Sequence, residues 1–142
     1  MVSKIAVGID GSATASKAVE MAAEIAQRFG AELVLLSVLH DASAGTADQE
    51  IDTAELEWAS NPSARVQHAV AATQERLAST GVKTSALADQ GNPGEVLVRL
   101  AEECGADLLV VGNKGMQRRV LGSVPNTVAH KAPCSVLVVK TT

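Results

Sequence analysis

Residues 4–39 read KIAVGIDGSATASKAVEMAAEIAQRFGAELVLLSVL. Lys4 to Ile9 is a short run of aliphatic and small residues ended by Asp10-Gly11-Ser12, the pattern of a strand covered on both faces and stopped by a turn. A helix is expected at once. Ser12 or Thr14 is placed to cap it, and Ala15, Ala18, Val19, Ala22, Ile25, Ala26 and Phe29 recur on one helical face before Gly30 stops it. Glu32 to Leu39 follows as a second strand. Strand, helix and strand joined by short connections make a βαβ unit, which implies parallel pairing through a right-handed crossover.

The alternation continues along the chain. His40 to Asn61 has no clear apolar period and is long for a connection inside a compact domain, a length usual in functional or mobile segments. One short helical turn is expected within it, around Glu55 to Ala59. Pro62 suits the first turn of a second helix, whose inner face is Val66, Ala69, Val70, Thr73 and Leu77 and whose end is Gly81. Val82 to Asp89 alternates in the manner of an edge strand. Gly91-Asn92-Pro93-Gly94 turns into a third helix with Leu97, Leu100, Ala101 and Cys104 inside, closed by Gly105. Asp107 to Val111 is the most uniformly apolar run and is expected near the sheet centre. A fourth helix spans Ser123 to Lys131, and Pro133 separates it from a last strand, Ser135 to Lys140. Five strands alternating with four helices predict one α/β domain over residues 1–142, an open, doubly wound, Rossmann-like parallel sheet.

Composition narrows the function. Phe29 and Trp58 are the only aromatics, so the core has to be built from Val, Leu, Ile and Ala. A net charge of −4 gives no basic surface for nucleic acid. The acidity is local: Asp41, Asp48, Glu50, Asp52, Glu55 and Glu57 lie within residues 41–61, which contain no Lys or Arg, so the remainder carries +2 and can still receive a small anion. No apolar run approaches the ~20 residues that span a bilayer, and MVSKIAVGID lacks the layout of a signal peptide, so a cytoplasmic protein without membrane partners is expected. Cys104 and Cys134 lack metal-ligand spacing and read as buried free thiols.

In a sheet of this kind ligands bind outside the carboxyl ends of the strands. Asp10, the Val38 to His40 segment, Gly91 and the stretch Gly112 to Ser123 all follow strands and share that edge. In LLVVGNKGMQRRVLGSVPN, residues 108–126, an apolar run empties into Gly112-Asn113-Lys114-Gly115, and Gly122-Ser123 opens a helix. Glycines allow close approach of backbone N–H groups, and a helix N-terminus offers unpaired donors, so the stretch reads as a phosphate seat. Two ordinary turns beside a helix start are the alternative. Asp10 suits a ribose hydroxyl or a metal ion, or else caps a turn. Arg118, Arg119 and Lys114 either neutralise phosphate or are solvated, and no Walker sequence is present. The carboxylate-only run Asp48 to Glu57 reads as a solvated lid, with a magnesium site as the alternative.

The start VGIDGS, the strand end LLSVLHD, the GNPG turn and VVGNKG followed by LGSVPNTVAHKAPCSVLVV resemble the universal stress protein family over essentially the whole chain. That resemblance implies strand order 3-2-1-4-5 and, in a subset of members, binding of ATP or a related adenine nucleotide. It assigns Asp10 to ribose or metal and the Val38 backbone to adenine, with Gly112, Gly115, Gly122 and Ser123 at the phosphates. Their neighbours Ile9, Asn113 and Val124 complete the expected contact set. One departure concerns the loop: Met116 to Leu121 leaves six residues between Gly115 and Gly122, fewer than the family's nucleotide-binding pattern carries. A shorter arm over the phosphates favours AMP or cyclic AMP over ATP.

A stress-response sensor or regulator that binds an adenine nucleotide is therefore the expected function, with an unidentified regulatory protein as partner. The alternatives are a nucleotide-free dimeric scaffold and a slow ATPase. Catalysis has little support, because His40, His68 and His130 are scattered and no nucleophile has a base beside it. The resemblance also implies a homodimer through the last strand, and an apolar terminal strand is an open edge in a monomer.

Overall fold

The computed structural model describes residues 1–9, 13–39, 62–113 and 121–140, with the side chains of 13, 14, 62 and 63 left aside. The elements are β1 (Lys4–Ile9), α1 (Ala13–Phe29), β2 (Glu32–Leu39), α2 (Pro62–Leu77), β3 (Thr84–Gln90), α3 (Pro93–Cys104), β4 (Leu108–Asn113), α4 (Ser123–Lys131) and β5 (Ser135–Lys140), with a 3-10 turn at Ala78–Thr80. All five strands are parallel, in the order β3-β2-β1-β4-β5. The predicted fold class and strand order hold. The proposed caps Ser12 and Thr14 and the turn around Glu55 to Ala59 lie outside the described residues.

Punctuation residues account for the boundaries. Asn92 caps α3, its Oδ1 accepting from the Glu95 N–H at 3.3 Å, and Pro93 occupies the first turn, where a missing N–H costs nothing. Gly105 ends α3 in the left-handed region at φ 70, its N–H donating back to the carbonyls of Ala101 and Glu102. A residue with a Cβ would be strained there.

The helices divide between the two faces of the sheet. Ile5, Val7, Ile9, Leu33, Leu35, Val110 and Val139 pack under α1 and α2, and Ala6, Val34, Leu36, Leu109 and Val111 pack under α3 and α4. Small residues set the approach. Alanines 18, 22 and 26 bring α1 close to the sheet, and a Cβ on Gly8 would stand 3.3 Å from Leu97 Cδ1, so α3 rests almost directly on the β1 backbone. Between the two helices a Cβ on Gly94 would stand 2.7 Å from the Cβ of Thr127. The α3 and α4 backbones therefore meet at a point where only glycine fits.

Several expectations need correction. Phe29 is 62% exposed and outside the core: Ala26 makes the last buried contact of α1, and the chain turns beneath it, Ala31 N–H donating to the Ala26 carbonyl at 2.8 Å. β3 starts at Thr84, two residues later than expected. The apolar run of β4 does lie near the sheet centre, as expected, beside the central strand β1. β4 runs on through Gly112 and Asn113, read earlier as turn, because β5 continues opposite them in the pairs Gly112↔Val139 and Asn113↔Lys140. Cys104 and Cys134 are free thiols, as expected, but half-buried; partial burial pushes both pKa values up. Thr73 is buried on α2 as expected, its hydroxyl donating to the Ala69 carbonyl at 2.7 Å.

At the amino edge Asp107 ties β1 to the start of β4. Its Oδ2 accepts from the Ser3 N–H at 2.9 Å, the Lys4 N–H at 3.0 Å and the Ser3 hydroxyl at 3.1 Å, and these bonds, the Ser3 N–H first, hold its pKa below the ordinary 3.8. A depressed carboxylate contributes stability above its unfolded pKa, and that contribution is lost as pH falls through the folded value. Thermal melts of wild type and Asp107→Asn should thus differ by a constant amount above about pH 5 and converge in strong acid. Melts of the two proteins that coincide above about pH 5 would rule this clasp out.

Candidate functional site

β4 ends in Asn113, a polar side chain only 1% exposed. Its Oδ1 accepts from the Gly122 N–H at 2.9 Å, drawing the start of α4 onto the end of the strand nine residues earlier. Gly122 is extended, φ −63 and ψ 170, and has no capping side chain. The first intrahelical bond runs from Asn126 N–H to the Gly122 carbonyl at 3.0 Å, and Pro125 has no N–H. Ser123 and Val124 are therefore the first-turn residues whose N–H groups have no intrahelical acceptor. With the exposed Ser123 hydroxyl they offer three donors at the positive end of the helix dipole. This is chemistry for an anion.

The other strands bring their ends to the same edge. The pairs Ile5↔Leu108 to Val7↔Val110 place Ile9 level with Gly112 when continued in register. β2 runs past its Ile9↔Ser37 pair through Val38 and Leu39, which lie against Asp89 and Gln90 of β3. The fold thus collects Ile9, Val38, Gly112, Asn113, Gly122, Ser123 and Val124 along one edge. Of the remaining expected contacts, Asp10 and Gly115 lie outside the described residues, as do Lys114, Arg118, Arg119, His40 and the acidic run Asp48 to Glu57.

Two features escaped the sequence reading. The first is the work Asn113 does: it is a buried clasp holding α4 in place, and its partner nine residues away could not be foreseen from spacing. The second is an ion pair at the end of β3. Asp89 Oδ1 accepts from the Gln90 N–H at 2.8 Å, and its Oδ2 accepts from Arg99 Nη2 at 2.7 Å. These two donors, the Gln90 N–H first, lower the Asp89 pKa. The carboxylate stays ionised and fixed in direction.

The two described histidines are not brought together. His68 is exposed on α2 and His130 is exposed in the last turn of α4, on opposite faces of the sheet. Among the described residues there is no cluster of three His, Cys, Asp or Glu side chains suited to a metal ion, and no helix long and apolar enough to cross a membrane. A cavity of about 420 Å³ opens at the opposite, amino edge, between Ser3, Gln27, Glu32, Thr80 and Lys83. Its polar groups turn to each other and to the chain: Gln27 donates to the Thr80 carbonyl and Glu32 accepts from Ser85.

Comparison with known proteins agrees with the fold. Residues 1–140 match the universal stress protein family. The chain is 37% identical to the universal stress protein Rv1636 of Mycobacterium tuberculosis, over 97% of this chain and 96% of that protein. It is 30% identical to YxiE of Bacillus subtilis, over 99% of this chain and all of that protein. A solved universal stress protein in complex with cAMP superposes with a TM-score of 0.76 at 31% identity, covering 99% of both chains.

Proposed function

The chain belongs to the universal stress protein family, and from that membership we propose that it binds an adenine nucleotide at the carboxyl edge of its sheet and acts as a stress-response sensor or regulator. The observation that carries the proposal is the start of α4, where Ser123 and Val124 present N–H groups without an intrahelical acceptor, and a hydroxyl, beside the strand end that Asn113 clasps. In this reading those donors hold a phosphate, Gly112 and Gly115 let the loop approach it, Asp10 meets the ribose, and the Ile9 and Val38 region receives the base. The likeness to a family member solved with cAMP supports an adenine ligand. AMP and cyclic AMP fit the short Gly115 to Gly122 connection better than ATP does. Magnesium enters only alongside a triphosphate.

The test is direct. Freshly purified protein is denatured and its released small molecules are identified by mass spectrometry, in parallel with calorimetric titration by ATP, AMP and cyclic AMP. A co-purified or titratable adenine nucleotide is expected. Protein that carries none and binds none would refute the proposal.

A dimeric scaffold is the second reading, favoured by one observation: β5 is an edge strand in which Val136, Leu137 and Val138 stay only half-buried. Such an edge invites pairing. Val138→Pro removes an N–H and is expected to convert a dimer to monomer in light scattering. A dimer of undiminished stability would place the interface elsewhere.

A further inference from the structure

The end of β3 carries a charged group that the phosphate seat does not use. We propose that Asp89 reads the base, its carboxylate accepting a hydrogen bond from the exocyclic 6-amino group of adenine and so rejecting purines that carry a 6-oxo group. The inference rests on the nucleotide proposal above and adds to it a residue that selects among nucleotides.

Position comes first. Asp89 pairs in register with Val38, the residue expected beside the base, at the carboxyl edge. It lies two residues from Leu87, on the sheet face that packs against α3 and α4, the face from which α4 presents its N-terminus. β3 and β4 are three strand spacings apart, about 14 Å. A nucleoside monophosphate with a hydrogen bond at each end covers that span, its phosphate on Ser123 and its base on β3.

The chemistry of the group fits the task. An ionised carboxylate only accepts, so it favours an amino group and repels a carbonyl oxygen. Among the described residues Gln90 N–H and Arg99 each bond one oxygen and fix the rotamer of a side chain that is 47% exposed and has two lone pairs on each oxygen. An acceptor held in advance costs a ligand little reorganisation. For the fold itself, an exposed ion pair of this kind contributes little.

The full chain is titrated calorimetrically with AMP and with inosine monophosphate, which differ at position 6 of the purine. Wild type should bind AMP about tenfold more tightly, the worth of one hydrogen bond to a charged acceptor. Asp89→Asn, whose amide can donate as well as accept, should bring the two within about threefold, mainly through tighter binding of inosine monophosphate. Circular dichroism checks that the variant is folded, and the wild-type ratio needs no variant. Equal affinities in wild type, or an AMP preference unchanged by Asp89→Asn, would overturn the role of Asp89 while leaving the nucleotide site standing. Failure of wild type to bind any adenine nucleotide would overturn the nucleotide proposal and this one with it.

Discussion

Replacing Ser123 with proline should lower affinity for an adenine nucleotide about 100-fold, because it deletes both an N–H and a hydroxyl that would each make a charge-assisted bond to phosphate. The helix should survive. Ser123 is the first residue of α4, a position where proline is favoured, and Gly122 before it already has the extended backbone that a following proline requires. The variant therefore separates ligand chemistry from folding, which Gly122 substitutions would not. Ser123→Ala, which keeps the N–H, should lose only about tenfold. Calorimetry measures affinity and a thermal melt measures the fold. Wild-type affinity in a folded Ser123→Pro protein would mean that the phosphate is held elsewhere.

The second large effect is on stability. Asn113→Ala should cost about 2–3 kcal/mol, since it leaves the partly buried Gly122 N–H without its acceptor and opens a void at a position 1% exposed. For a chain of this length that corresponds to a fall in Tm of roughly 5–10 °C. Ligand affinity should fall as well, because the Asn113 bond to the Gly122 N–H fixes the first turn of α4 against the strand end. Unchanged melting would show that the clasp is dispensable and that α4 is held by packing alone.

The sequence carried the strands and helices well where a single residue marks a boundary. Pro62 and Pro93 opened helices, Gly105 closed one, and the ranges Glu32–Leu39, Ser123–Lys131 and Ser135–Lys140 came out as expected. Errors arose where a neighbour overrides local preference. Gly112 and Asn113 look like turn residues, yet β5 lies opposite and keeps them in the ladder. Phe29 continues the apolar period of α1, but period says nothing about where the helix runs off its support. The candidate site was legible as an edge, since strand ends are marked by Gly, Asp and Asn. Its internal division of labour was not: whether Asn113 faces a ligand or clasps Gly122, and whether Asp89 stands alone or beside Arg99, depends on contacts that only the folded chain makes.

The missing side chain at position 94 ties two sites together in the history of the chain. Because Thr127 fills the space a Cβ on residue 94 would need, the two positions share one fixed volume. A larger residue can enter at 94 only after 127 has shrunk, so changes there must arrive in order and in pairs. The helix that follows the end of β3 and the helix that begins at Ser123 are thereby bound to drift together.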